Sequence, residues 1–217
     1  MNDSAISKAS ALRDMSIGIG IVILAAGESA RMGEPKQLLP FRDTTLLRHA
    51  VETAHSIPGA PVIVVLGAHA DQIRAELSES SAIVVENSRW PDGMGGSLRE
   101  GLTTLLAAHS EISAAIFLVC DQPLLSATTL SSLVAAYQNT GSAIVASEYG
   151  GTLGVPALFA RELFPELLAL SGSEGARQII HAHRDRTTSV PFPEGTIDLD
   201  TPTDYAAFRE NFISTPV

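Results

Sequence analysis

The first polar loop of the sequence carries residues suited to holding an anion. The apolar run Ile17–Leu24 ends in a turn that contains Gly27, and such a turn presents backbone N–H groups that can cradle a phosphate. Arg31 and Lys36 follow in the same loop, the first suited to fork-like contacts and the second to a point-charge contact. The loop is not a Walker A motif, because Gly33 is not followed by Lys and then by Ser or Thr. The plainer alternative is a surface loop with two solvated cations.

Carboxylate side chains follow two later stretches of the chain. Asp121 comes directly after the apolar run Ala114–Cys120, and Asp198 and Asp200 alternate near the C-terminal end. On a short strand, alternate residues point to the same face, so Asp198 and Asp200 can converge. Mg²⁺ takes one or two protein carboxylates and completes its shell with phosphate oxygens and water. These aspartates are candidate ligands of a divalent ion, and the alternative is that these segments simply cap the helices that follow.

A glycine-rich segment follows the third apolar strand of the sequence. It begins at Asn87, continues through Gly93, Gly95 and Gly96, and reaches Ser97 at the start of a helical pattern. Glycines let the backbone approach a flat ligand closely. A structural loop in which Ser97 is the helix N-cap would explain the same residues.

Capping residues mark the starts of two other predicted helices. Asp43 or Thr44 can cap the first helix. Thr201 or Thr203 can cap the last helix, with Pro202 in its first turn.

Apolar strand-like runs alternate with helical patterns along the chain. The predicted strands cover residues 17–24, 61–66, 82–86, 114–120, 142–146 and 187–191. Continuous apolar strands separated by amphipathic helices predict an α/β fold with three layers, in which helices cover both faces of a mostly parallel sheet. Ligands of such sheets bind beyond the carboxyl ends of the strands. We therefore expect the chemistry in the loops after Leu24, Leu66, Glu86 and Cys120.

The composition excludes several classes of protein. Apolar residues make up 45% and charged residues 18%, which is typical of a globular domain rather than a disordered chain. The 14 Lys and Arg against 24 Asp and Glu give a net charge of −10, so the basic footprint of a nucleic-acid-binding protein is missing. The apolar runs are far shorter than the roughly 20 residues that cross a bilayer, which predicts no contact with a membrane.

The single cysteine and the first residues of the chain indicate the cellular compartment of the protein. Cys120 cannot form an internal disulfide, which indicates a reducing compartment. Residues 1–16 lack the apolar core of a secretory signal and are interpreted as a flexible polar tail. We expect a cytoplasmic protein with one domain over residues 17–213, in which the glycine-punctuated region of residues 150–192 departs from the regular alternation.

The segment Leu24–Pro40 resembles the signature of nucleotidyltransferases related to molybdenum cofactor cytidylyltransferase. That signature, Leu-Ala-Ala-Gly-x-Ser-x-Arg-Met-Gly-x-x-Lys-x-Leu-Leu-Pro, is matched at every fixed position. The resemblance implies a Rossmann-like fold of the nucleotide-diphospho-sugar transferase type, with the loop around the nucleotide and Arg31 and Lys36 on its phosphates. The nucleotide-binding residues implied are Leu24, Ala25, Ala26, Gly27, Arg31, Lys36, Asn87, Gly95 and Ser97.

Later segments match the same family and extend the implied site. The Asp-Gln-Pro segment at Asp121 implies a Mg²⁺ ligand, and the Asp-x-Asp-Thr-Pro segment implies Asp200 as the second ligand. Gly154, Pro156 and Arg177 match segments on the acceptor side of the family, where Arg177 would hold the phosphate of the acceptor. One departure concerns position 173, where relatives usually carry Asp and this chain has Ser.

The resemblance implies that CMP is transferred from CTP to the phosphate of molybdenum-molybdopterin, with release of pyrophosphate. Arg31, Lys36 and Asp121 would be the catalytic residues, and Mg²⁺ the cofactor. Ala26, where guanosine-using relatives carry Gly, favours CTP. The partners implied are CTP, the phosphorylated pterin and, transiently, a molybdoenzyme or its chaperone. The alternatives are a nucleotidyltransferase acting on a sugar or polyol phosphate, and a non-catalytic nucleotide sensor or cofactor-carrying chaperone.

Overall fold

The apolar runs of the sequence become strands in the computed structural model, which describes residues 18–212. The strands are β1 (Ile19–Ala25), β2 (Pro40–Phe41), β3 (Thr44–Thr45), β4 (Val62–Leu66), β5 (Ile83–Glu86), β6 (Ala114–Val119), β7 (Ile144–Tyr149), β8 (Thr152–Ala160) and β9 (Thr187–Pro191). The helices are α1 (Leu46–His55), α2 (Ala70–Arg74), α3 (Met94–Ala108), α4 (Ala127–Thr140), α5 (Phe164–Ala169), α6 (Ala176–Ala182) and α7 (Pro202–Phe212). The predicted tail, residues 1–16, lies outside the described residues.

Seven strands form one mostly parallel sheet in the order β5-β4-β1-β6-β8-β7-β9. The central strand β1 pairs in parallel with β4 and with β6. Within residues 18–212, β8 is the one strand of this sheet that runs antiparallel to its neighbours, β6 and β7. The strands β2 and β3 form a separate small ribbon. The predicted α/β fold with a mostly parallel sheet is confirmed, and the departure near Gly150 is the hairpin between β7 and β8.

Helices cover both faces of the sheet, as continuous apolar strands require. Ile21 and Ile23 of β1 pack in one core with α1 and α4, whereas Val22 packs in a second core with α3, α5 and α6. A Cβ on Gly101 would lie 2.4 Å from Val22 Cγ1, so glycine lets α3 approach the sheet closely. Among the helices of residues 18–212, none is long and apolar enough to cross a membrane.

The start of the first helix differs from the prediction. The cap is Thr45, whose hydroxyl accepts a hydrogen bond from the N–H of Arg48 at 3.3 Å, and not Asp43 or Thr44. The reason is that the ribbon of β2 and β3 continues through Thr45, which pairs with Pro40, so the helix begins only at Leu46.

Candidate active site

A cavity of about 370 Å³ lies beyond the carboxyl ends of β1 and β6, where ligands bind in sheets of this kind. The predicted site residues that line it are Leu24, Ala25, Ala26, Gly27, Arg31, Lys36, Ser97, Asp121 and Asp200. The loops after β1 and β6, separated by about eighty residues of chain, thus come together because their strands are neighbours in the sheet.

Lys36 lies at the centre of the charged groups of this cavity. Its ammonium group donates hydrogen bonds to Asp200 Oδ1 at 2.6 Å and to Asp121 Oδ2 at 3.2 Å. Burial opposes the charged form of Lys36, but the hydrogen bond to Asp200 and the charge of Asp121 outweigh it and raise the pKa of Lys36 above its usual 10.5. Lys36 therefore stays positively charged at neutral pH, paired with two carboxylates.

Three carboxylates, those of Asp121, Asp198 and Asp200, converge beside Lys36. One oxygen atom of each lies within 4.8 Å of the others. Partial burial and the charge of Asp121 raise the pKa of Asp198, whereas the hydrogen bond from Lys36 lowers the pKa of Asp200. Carboxylates this close together repel each other, and a bound divalent cation relieves that repulsion. Hard oxygen donors suit Mg²⁺ or Mn²⁺. The donor set of Asp121, Asp198 and Asp200 fits a divalent ion.

The two C-terminal aspartates are held by an irregular segment and not by the predicted short strand. Leu199, between Asp198 and Asp200, is buried in a small apolar core, which anchors this segment beneath both carboxylates. Thr201 caps α7, because its hydroxyl accepts from the N–H of Asp204 at 3.2 Å while the Asp204 carboxylate accepts from the N–H of Thr201 at 2.9 Å. The capping role predicted for Thr201 and the convergence of the aspartates therefore coexist.

Arg31 completes a network of ion pairs at the mouth of the cavity. Its guanidinium group pairs with the Asp200 carboxylate, and 71% of its side chain is exposed. Asp200 thereby accepts hydrogen bonds from Arg31 and from Lys36. The cations predicted to bind phosphate and the carboxylate predicted to bind metal thus contact each other directly.

Gln37 gives the loop after β1 its shape. Its side-chain amide donates to the carbonyl oxygens of Ala25 at 2.8 Å and Gly27 at 3.0 Å, and the residue is 2% exposed. Ser29 adds a second constraint, because its hydroxyl accepts from the N–H of Lys36 at 3.0 Å. Sequence reasoning missed Gln37. The available signal was a polar residue directly before the apolar pair that ends the loop, since a buried amide must find partners.

Asn87 and Ser97 form a buried pair behind the cavity wall. Asn87 Nδ2 donates to Ser97 Oγ at 3.0 Å, and both residues are buried. The helix α3 begins at Met94, so Ser97 stands inside the helix and the N-cap interpretation of Ser97 is wrong. Ser97 lines the cavity, whereas Asn87 does not and acts on it through Ser97.

Gly93 and Gly95 pack closely against another loop of the protein. Gly95 donates its N–H to the carbonyl of Gly172 at 3.1 Å. Gly93 has a φ of +118°, and a Cβ on it would lie 2.2 Å from the Gly172 oxygen. The close approach predicted for these glycines is therefore made to the loop before α6, and Gly95 does not line the cavity.

The three predicted acceptor residues do not come together around the cavity. Gly154 and Pro156 are buried within β8, where a Cβ on Gly154 would lie 2.3 Å from the Tyr149 hydroxyl. Arg177 instead lines a second cavity, together with Ser173. Gly154 and Pro156 are thus part of the sheet, and of the three only Arg177 lines one of the two cavities.

The fold and the site define an α/β domain of the nucleotidyltransferase type. The chain belongs to the MobA-like NTP transferase domain family, whose model matches residues 21–187. The resemblance noted in the sequence is confirmed at the level of this family.

Solved structures share the fold of this chain. Rv0371c from Mycobacterium tuberculosis H37Rv is 31% identical, with a TM-score of 0.76 over 90% of this chain and 100% of that chain. Its complex with manganese is 30% identical, with a TM-score of 0.73 over 89% of this chain and 98% of that chain. A nucleotidyl transferase from Methanothermobacter thermautotroptrophicus is 25% identical, with a TM-score of 0.76 over 92% of this chain and 99% of that chain.

A curated relative, the nicotine blue oxidoreductase of Paenarthrobacter nicotinovorans, matches the chain in part. The two are 39% identical over 118 residues, which is 54% of this chain and 56% of the relative. The aligned part of this chain thus spans about half the length of that relative.

Proposed function

We propose that the protein transfers CMP from CTP to the phosphate of molybdenum-molybdopterin and releases pyrophosphate, which yields the cytosine dinucleotide form of that cofactor. The observation that carries the proposal is the convergence of Asp121, Asp198 and Asp200 on Lys36 beside the loop after β1. This arrangement would supply a positive charge for a triphosphate and oxygen ligands for its metal at one place.

The residues would act by positioning and by neutralising charge. An oxygen of the acceptor phosphate forms a bond to the α-phosphorus of CTP, and the bond from that phosphorus to pyrophosphate breaks. Lys36 and Arg31 would hold the pyrophosphate oxygens, where negative charge develops. A protein base is unnecessary, because a phosphate nucleophile is already anionic at neutral pH.

Asp121 and Asp200 would hold Mg²⁺, with Asp198 as a third oxygen donor. When bound, the ion would neutralise charge on the α-phosphate. The spacing of the three carboxylates supports a divalent ion, and so does the manganese complex of Rv0371c, a relative of similar length.

Selection of CTP would fall to the cavity wall formed by the first loop and α3. Ala26 and Ser97 both line the cavity, and Asn87 fixes the Ser97 hydroxyl from behind. Gly95 supports this wall through its bond to Gly172. The acceptor would approach from the side of Arg177, and its product would pass to a molybdoenzyme or its chaperone in the cytoplasm.

A second candidate is the same transfer to a sugar or polyol phosphate. Ser173 favours it, because it replaces the carboxylate usual in the resembled family at a position that lines the second cavity. Both candidates share the nucleotide and metal residues and differ in the acceptor.

Nucleotide binding and turnover test the proposal in sequence. The protein is unfolded thermally with Mg²⁺ and each of CTP, GTP, ATP and UTP. A nucleotide at about 100 times its Kd is expected to raise the midpoint by about 5–10 °C.

Pyrophosphate release is then measured with CTP and either molybdenum-molybdopterin or a panel of sugar and polyol phosphates, with Lys36→Met as the inactive control. A midpoint rise specific to GTP, or the absence of pyrophosphate with every acceptor, contradicts the proposal.

A further inference from the structure

A second cavity, of about 450 Å³, adjoins the candidate active site. The wall between the two is thin. Gly93 and Met94 line the first cavity, Ser173 and Gly175 line the second, and a Cβ on Gly175 would lie 3.2 Å from Met94 Sδ. A ligand in the second cavity would therefore lie next to the nucleotide site without occupying it.

Basic side chains line one side of this second cavity. Arg177 and His181 stand one helical turn apart on α6, and Arg184 follows in the short 3-10 turn after it. All three line the cavity. Among residues 18–212, neither Arg177 nor Arg184 has an acidic partner within ion-pair distance.

The neighbouring basic residues behave differently. His183 pairs with Glu166 at 2.8 Å, and Arg186 pairs with Glu162. The basic residues of this region that lack acidic partners are thus those that face the cavity. In a chain of net charge −10, these two exposed guanidinium groups give the cavity a local positive charge that suits an anion.

The other residues that line the second cavity suit a small organic phosphate. Glu174 is the one acidic residue that lines the cavity. Its carboxylate accepts hydrogen bonds from the N–H of Ser171 at 2.9 Å and from the hydroxyl of Ser171 at 3.2 Å. Leu153 and Ile180 supply an apolar side, and the volume lies within the usual range of small-molecule sites.

We infer that the second cavity is a binding site for the phosphate group of a small molecule, held by Arg177, Arg184 and His181. Arg184 and His181 go beyond the acceptor residue proposed above. The phosphate can belong to the acceptor, an assignment that rests on the proposed function, or to an effector that never reacts.

Binding of inorganic phosphate to the full chain tests the site without any nucleotide. Phosphate is titrated by calorimetry into the wild type and into Arg184→Gln, Arg186→Gln and Lys36→Met. Arg184→Gln is expected to weaken phosphate binding about tenfold, because it removes a charge-assisted pair. Arg186→Gln loses the same charge outside the cavity and should bind phosphate as the wild type does. Lys36→Met should keep this binding, since it alters only the first cavity.

The outcomes separate the site from the proposed function. Equal weakening in Arg184→Gln and Arg186→Gln, or loss of all phosphate binding in Lys36→Met, overturns the second site even if CTP binds. A KM for the phosphorylated acceptor that rises in Arg184→Gln, with an unchanged KM for CTP, identifies the phosphate as that of the acceptor. Unchanged KM values with loss of any phosphate effect on rate identify an effector. Both results support the site.

Discussion

The Lys36 ammonium lies 2.6 Å from Asp200 Oδ1, so the cation proposed to bind phosphate is hydrogen-bonded to a carboxylate proposed to bind the metal. Arg31 pairs with the other oxygen of the same carboxylate. A triphosphate must compete with Asp200 for Lys36, and a divalent ion must compete with Lys36 for Asp200. Because each ligand releases the group that the other needs, we expect metal and nucleotide to strengthen each other's binding.

Replacement of Asp200 should separate these two effects. In Asp200→Asn, Lys36 and Arg31 lose a competing anion, so CTP should bind about fivefold more tightly when EDTA removes divalent ions. With Mg²⁺ present, the same variant should bind CTP more weakly than the wild type, because a metal ligand is lost. Isothermal titration under the two conditions measures both.

The control for that experiment is Asp71→Asn, which removes the same charge from the exposed surface of α2. If Asp71→Asn also tightens CTP binding without metal, the effect comes from net charge and not from the contact between Asp200 and Lys36.

Gln37 should contribute strongly to stability. Gln37→Leu keeps a side chain of similar size but removes the amide donor that the carbonyls of Ala25 and Gly27 share. A buried acceptor left unpaired costs about 1–3 kcal/mol, whereas removal of the unpartnered Gln37 Oε1 offsets part of the loss. We expect the free energy of unfolding to fall by about 2 kcal/mol in urea titrations. Gln72→Leu, on the exposed side of α2, should change it by less than about 0.5 kcal/mol.

The sequence predicted the parts of the site that depend on strand order and missed those that depend on contacts between distant loops. Asp121 and Lys36 were placed together because parallel strands share one carboxyl edge. The position of Ser97 was wrong because α3 starts at Met94, through glycines that helix propensity disfavours. The packing of Gly93 on Gly172 joins segments far apart in sequence, and no local pattern encodes it.

His49 should make stability depend on pH. Its ring nitrogen is 3.0 Å from the Leu125 carbonyl, and burial lowers the pKa of His49 below 6.5, with the charge of Arg42 adding to the shift. Between the lowered pKa and 6.5 the unfolded chain binds more protons, so the free energy of unfolding rises with pH in that window. Denaturant titrations should show stability falling as pH decreases below about 6.5.

Two histidine variants isolate this contribution. His49→Gln removes the titrating ring, so the part of the loss that His49 causes should disappear. His109→Gln, at an exposed position, should retain the wild-type loss. Identical pH profiles for the wild type and His49→Gln would contradict the assignment.

Gly93 and Gly27 should respond to alanine in opposite ways. In Gly93→Ala, a φ of +118° strains the new side chain, and its Cβ would lie 2.2 Å from the Gly172 oxygen, so we expect a loss of about 3 kcal/mol. A Cβ on Gly27 meets nothing within 4 Å, and Gly27 lines the first cavity, so Gly27→Ala should keep its stability but weaken CTP binding. Urea unfolding and CTP titration of both variants provide the comparison. A stable Gly93→Ala would mean that the loop before α6 can move away from α3, and unchanged CTP binding in Gly27→Ala would place the nucleotide elsewhere.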